Sequence, residues 1–132
     1  MLIKFIYVVY YFIIMRKIIL DTDFLLHNLN QGIDFLSEME RVCDFNYVVC
    51  ILDKTLDEIK GKKGEKLALD FIKKKLKIIK TGLNKSVDDI LLGMENVVIA
   101  THDKVLKEKL KKRGIPLIVQ QGSKCLKLEN VL

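Results

Sequence analysis

Four apolar runs constrain this 132-residue chain more than anything else in it: "KIIL" at 17–20, "YVVCIL" at 47–52, "NVVIAT" at 96–101 and "IPLIV" at 115–119. None alternates apolar with polar residues. A strand that is apolar on both faces must be covered on both faces, which is the habit of parallel sheets packed between helices. The stretches between the runs carry helical spacing. Phe24–Leu26 opens one helix, which Gly32 interrupts. Ile33, Leu36, Met39 and Val42 follow at helical intervals, and Asp53 is placed to cap the helix after "YVVCIL". Ala68, Phe71, Ile72, Leu76 and Ile79 mark an apolar face, the end of which, Lys77 to Thr81, also reads as a short strand. Ser86 caps "SVDDILLGM", with Asp89 at the capping-box position, and a basic helix runs from Asp103 to Arg113 before Gly114. Residues 123–132 read as an edge strand. The predicted fold is α/β, a three-layer α/β/α arrangement with a mostly parallel central sheet. There is no internal repeat, low-complexity tract or linker.

One domain accounts for most of this length. Residues 1–14 stand apart as an apolar extension. The run Phe5–Met15 has eleven residues, where a spanning helix needs about 20, and no small-residue cleavage site precedes Arg16. "MRKIILDTD" reads as a natural domain start, so the extension is read as a start-site artefact, and a single domain is expected over 15–132. No stable membrane anchor is expected. The three cysteines, Cys43, Cys50 and Cys125, are odd in number and lack C-x-x-C spacing. Cys50 reads as core, and reduced thiols fit a cytoplasmic protein.

Four acidic positions stand out by location. Asp21 ends the first run, Glu58 lies in the helix after the second, Asp88 and Asp89 open the helix before "NVVIAT", and Asp103 follows that strand. Parallel strands end side by side, and open α/β sheets hold ligands at that edge. Each acid also has a plain structural reading. Asp88 and Asp89 suit a helix N-terminus, Asp103 suits an N-cap, and Glu58 could pair with Lys60 or Lys62. Taken together they converge. Converging carboxylates hold protons or recruit a hard cation, and oxygen ligands favour Mg²⁺ or Mn²⁺ over zinc. A formal charge of +6 favours a polyanionic partner, although a solvated lysine surface accounts for it equally. Acids beside a basic surface suggest phosphodiester hydrolysis.

The pieces "IILDTDFLL", "LDEIKG", "SVDDILL" and "VVIATHDKVLKEKLKKRGIPLIV" follow one another in an order that resembles the PIN domain family, small metal-dependent nucleases. The likeness is stronger to the small stand-alone PIN proteins of the ribosomal-RNA-processing group than to VapC-type toxins. The resemblance implies a metal-dependent endoribonuclease, with Asp21, Glu58, Asp89 and Asp103 as catalytic and metal-binding acids and Mg²⁺ or Mn²⁺ as cofactor. Asp89 matches better than Asp88 because the family acid directly precedes the apolar helix residues. Thr101 matches the hydroxyl that supports the first acid, and Asp88 and Asp23 are supporting. Asp23 and His102 depart from the family's usual Asn or small polar residue, and His27 has no assigned role. RNA is the expected substrate. Lys60, Lys62, Lys63, Lys66, Lys104 and Lys107 are the expected RNA contacts, with the glycines of "KGKKGEK" letting backbone approach a phosphate. A homodimer and a protein partner, either an antitoxin or a processing complex, are further expectations.

Two other readings stand beside this one. "LDTD" satisfies the strand–Asp–x–Asp opening of haloacid-dehalogenase-type phosphatases, with Asp21 as nucleophile and Asp23 as general acid. The Asp88-Asp89 pair precedes Thr101, however, which is the wrong order for that family. The second alternative is a non-catalytic PIN-like scaffold that binds RNA or protein.

Overall fold

The computed structural model describes residues 2–7 and 15–130. The apolar extension falls largely outside them: residues 2–7 are helical and exposed, and the rest of 1–14 is not described. The strands are β1 (Arg16–Leu20), β2 (Tyr47–Leu52), β3 (Lys77–Ile79), β4 (Val97–Ala100), β5 (Leu117–Gln121) and β6 (Cys125–Glu129). The helices are α1 (Thr22–Asn30), α2 (Phe35–Val42), α3 (Asp53–Glu58), α4 (Glu65–Lys75), α5 (Val87–Leu92) and α6 (Lys104–Lys112).

All six strands form one sheet in the order β3-β2-β1-β4-β5-β6. Every pairing is parallel except β5 with β6, which is antiparallel. The mostly parallel α/β expectation is therefore met, with the C-terminal strand as the one antiparallel element. Alternate residues of the continuous runs serve different layers. Ile18, Leu20, Ile51, Val98, Ala100 and Ile118 face a core shared with Phe24, Phe35, Met39, Ala68 and Ile72 of α1, α2 and α4. Ile19, Cys50, Leu52, Val97, Ile99 and Leu117 face a second core with Val87, Ile90, Leu91, Leu106 and Leu110 of α5 and α6. This two-sided burial explains why β1 and β4 carry no polar residue between Ile18 and Leu20 or between Val97 and Ala100.

The outermost strand is held by charge. The Glu38 carboxylate accepts from the Leu126 amide at 3.0 Å, while Arg41 grips Glu38 at 3.0 Å and donates to the Leu126 carbonyl at 3.0 Å. These bonds hold the Glu38 carboxyl down at about 2. Helix α2 thereby pins β6 by its backbone. All three cysteines are free, and Cys50 is buried as expected. Among the described residues, no helix is long and apolar enough to cross a membrane.

The order of the sheet reverses between β1 and β4. The chain runs outward from β1 to β2 and β3 on one side, and from β4 to β5 and β6 on the other. Such a switch point leaves a crevice at the carboxyl ends of the two central strands. The register pairs Leu20 with Ala100, and the Asp21 amide donates to the Ala100 carbonyl at 2.9 Å, so Asp21 and Thr101 emerge side by side.

Because Ile99 is fully buried in the second core, Ile99→Ala should destabilise the fold by about 2–5 kcal/mol in denaturant unfolding. Leu67→Ala, at an exposed position of α4, should change it by no more than about 0.5 kcal/mol.

Candidate active site

Asp21 is the innermost acid, only 5% exposed. It is the N-cap of α1, and its Oδ1 accepts from the Thr22 amide at 2.9 Å. Its Oδ2 accepts from the fully buried Thr101 hydroxyl at 2.8 Å. The same hydroxyl accepts from the Asp103 amide at 3.1 Å, so Thr101 links the first acid to the chain at the last one. Burial pushes Asp21 up to about 6 against the pull of these bonds, and the charges of Asp88 and Asp23 add to the rise. Thr101 therefore sits where a supporting hydroxyl was expected.

Asp103 is the N-cap of α6, and its Oδ1 accepts from the Val105 and Leu106 amides at 2.9 and 3.1 Å. Its capping role and its place at the edge are thus compatible. Glu58 does not pair with Lys60 or Lys62. Its Oε1 accepts from the Thr22 hydroxyl at 2.8 Å and its Oε2 from the Val87 amide at 3.1 Å. Glu58 is a strut between the first turn of α1, next to Asp21, and the first turn of α5, next to Asp88.

Of the adjacent pair on α5, the structure turns Asp88 toward the other acids, not Asp89. Asp88 is half-buried and its carboxyl is raised, first by burial, then by the charges of Asp103 and Glu58, with Asp23 adding and direct bonding to Asp21 opposing. Asp89 is exposed, and its amide is spent on the Ser86 cap at 3.2 Å. Consecutive helical residues point about 100° apart, so only one of the two can face the edge. Asp88, and not the expected Asp89, is thus the one of the pair that lies among the other acids.

Asp23 is 81% exposed at its side chain and lies 3.6 Å from the Lys62 ammonium. It flanks the cluster from outside and ties α1 to the basic loop. Lys60 and its neighbour Asp57 pair at 3.8 Å; Lys63, Lys66 and Lys104 are exposed and Lys107 is half-buried. One of the loop glycines serves the loop itself. Gly64, at φ +86°, precedes α4 with the Asn30 side chain pressed against it, where a Cβ would collide. Asn30 also donates to the Lys63 carbonyl at 3.2 Å. These contacts tie the loop to the end of α1, while Gly61 faces open space.

Two features had no signal in the sequence. Asp53 is the first residue of α3 and not its expected cap; it bonds the Lys54 amide, and its main partners are distant: the Thr81 amide and hydroxyl at 3.0 and 2.8 Å, and the Gly82 amide at 2.9 Å. These bonds hold its carboxyl below the usual range and anchor the loop that leads to Asp88. Then there is His102, stacked on Phe24 and met edge-on by His27. Burial, with His27 and Lys107 nearby, holds its imidazole below the usual range.

Among the described residues, no three His, Cys, Asp or Glu side chains are gathered closely enough to hold a metal ion. Asp21, Glu58 and Asp103 are instead bonded to hydroxyls or backbone amides. What fits a cation is the donor chemistry: carboxylate oxygens only, with Asp21 and Asp88 raised in pKa, first by burial and then by neighbouring acids. A cavity of about 600 Å³ lies at the opposite end of the strands, between Arg16, Asn96 and Arg113, and none of the acids lines it.

The phosphatase reading finds no support in this geometry. Asp21 is buried with both oxygens bonded, and Asp23 points to solvent and Lys62.

The sequence matches the family described as "PIN like domain" over residues 18–123. Ribonuclease VapC4 of Methanocaldococcus jannaschii is 34% identical over 125 residues, spanning 83% of this chain and 94% of that protein. The solved structure of the PIN domain endonuclease Utp24 superposes with a TM-score of 0.75 at 25% identity, covering 88% of this chain and 92% of that one. The expected lean toward the ribosomal-RNA-processing group is corrected by the curated match, which by sequence places the chain nearer the VapC side.

The raised Asp21 pKa has a consequence for stability. Its native pKa of about 6 lies above the ordinary 3.8. The native state therefore binds the proton more tightly, and the benefit is present below the lower value and lost as pH rises through the upper one. At pH 7.5, Asp21→Asn should stabilise the fold by about 2 kcal/mol, less than the full shift because one acceptor oxygen is lost. Thermal melts from pH 4 to 7.5 should show that gain shrinking to nothing at the acid end.

Proposed function

Because the chain belongs to the PIN-like domain family, we propose that it is a divalent-metal-dependent endoribonuclease acting on RNA through Asp21, Glu58, Asp88 and Asp103. The observation that carries the reading is the set of acids at the β1–β4 switch point, where Asp21 and Asp88 are forced upward in pKa by burial and by their neighbours. A site that stores unfavourable charge at the crevice of an α/β sheet is a candidate for function. The names of the relatives, a ribonuclease and an endonuclease, support the same chemistry.

Mg²⁺ or Mn²⁺ would be held by these carboxylates, and such an ion makes water a nucleophile at neutral pH and offsets charge on a phosphate under attack. The chain's own groups do the rest. Thr101 and the Thr22 amide fix both Asp21 oxygens, so the innermost acid has one orientation. Glu58 holds α1 and α5 at a set spacing, which sets where Asp88 stands relative to Asp21. Lys62 and Lys63 on the loop and Lys66 in the first turn of α4, with Lys104 and Lys107 on α6, receive the phosphates that flank the scissile one. Such contacts position the strand and carry little sequence information. The VapC name of the relative supports a toxin-type role, with an antitoxin protein as partner, over a role in RNA processing.

Cleavage of single-stranded and structured RNA with Mg²⁺, Mn²⁺ or EDTA tests the reading. Wild type should cleave with metal and stop in EDTA. Asp21→Asn and Asp103→Asn should each lower turnover by roughly 100-fold or more, and Asp88→Asn by roughly 10- to 100-fold. Asp89→Asn should stay within roughly threefold of wild type. Equal loss in Asp88→Asn and Asp89→Asn would remove the assignment made here. RNA binding that survives Asp21→Asn and EDTA, with no cleavage by wild type, would instead favour a non-catalytic scaffold.

A further inference from the structure

We propose that His27 and His102 form a nucleobase subsite beside the scissile phosphate, an inference that rests on the ribonuclease reading above. His102 lies between Thr101, which supports the first acid, and Asp103, the last. A phosphate held at those acids therefore lies next to it. The His102 ring is fixed in place: it stacks on the fully buried Phe24 with centroids 4.8 Å apart and planes 28° apart. His27 meets it edge-on at 5.0 Å and 77°. His27 is exposed, four residues after Asp23 on α1, and so stands on the same helix face as that flanking acid.

The second observation concerns a polar atom. Nε2 of His102 is shut from water and has no hydrogen-bond partner. Buried polar groups are nearly always paired, and an unpaired one is unfavourable. Packing alone explains neither the orphan atom nor the exposed ring beside it. A His ring whose only task is to fill space next to Phe24 gains nothing from carrying a polar atom there.

Single-stranded RNA is read by proteins that splay a base out, stack it on an aromatic ring, histidine included, and hydrogen-bond its edge. His27 supplies an exposed ring for stacking. His102 supplies a fixed hydrogen-bonding edge, opened when the His27 ring turns aside to meet the base. Lys107, near enough to act on His102, holds the adjoining phosphate. The ligand class is a nucleobase of unpaired RNA, one step from the bond that is cut. With the carboxylates engaged at the scissile phosphate and the lysines at its neighbours, this pair would determine which nucleotide is accepted there.

Binding of a single-stranded RNA oligomer to the full chain, measured by fluorescence anisotropy with Ca²⁺ present, tests this when an abasic nucleotide is stepped along the oligomer. For wild type, one position should stand out, with affinity roughly tenfold weaker when its base is missing. His27→Ala should weaken binding of the intact oligomer and erase that positional effect. His102→Phe keeps the stack on Phe24 and removes Nε2, so it should keep the positional effect and lose the preference among bases there. Thermal melts identify a variant that has merely lost its fold. A flat abasic profile for wild type would overturn the subsite, as would a profile unchanged in both variants, even if RNA is still cleaved. An intact profile in a protein that cleaves no RNA with Mg²⁺ or Mn²⁺ would keep the subsite and remove only the nuclease reading.

Discussion

The hydroxyl of Thr101 is the small group on which the edge of this sheet depends. It donates to Asp21 and accepts from the Asp103 amide, so a single buried oxygen joins the ends of β1 and β4 across the switch point. Valine, with the same shape, would leave Asp21 with an unmet acceptor in a buried site, and burial already drives that carboxyl upward. The conflict between charge and burial is not relieved elsewhere in the fold. It is concentrated at Asp21 and Asp88, on the rim of two cores that are otherwise apolar. A folding optimum would place neutral groups there, and the cluster is most economically explained by chemistry that needs charge in that place.

The rest of the fold makes that arrangement rigid. Glu58 spans α1 and α5 with both oxygens. Asp53 ties the 81–82 turn to the start of α3, and the Glu38–Arg41 pair seals β6 onto α2. Glu38 and Asp53 sit among donors, which hold their carboxyls below the usual range. Asp21 and Asp88 at the switch point are raised instead, and that contrast marks the candidate site more clearly than sequence position does.

Much of this was legible in the sequence, for a physical reason. Strands buried on both faces must be continuous apolar runs, so β1, β2, β4 and β5 announce themselves, and caps such as Ser86 and Asp103 mark helix starts. Asp21, Glu58 and Asp103 stand where their order along the chain predicts. The choice between Asp88 and Asp89 was not legible, because both occupy the first turn of α5 and both suit its N-terminus; only the rotation of the helix in three dimensions decides. Contacts between distant segments were equally hidden. Nothing local to Asp53 points to Thr81, and nothing near His102 points to His27 or Phe24. The contact that fixes Gly64 of the basic loop, with Asn30 of α1, was hidden in the same way.

The way the loop before α5 is fastened bears on how such a protein can diversify. Its two ends are anchored separately, at Thr81 and Gly82 by Asp53 and at Asp89 by the Ser86 cap. Between them Leu83, Asn84 and Lys85 are exposed. Changes confined to that short bridge leave both moorings in place, so the bridge can drift in sequence without moving Asp88. The surface of that bridge can therefore change within a few residues of an acid whose position is held fixed.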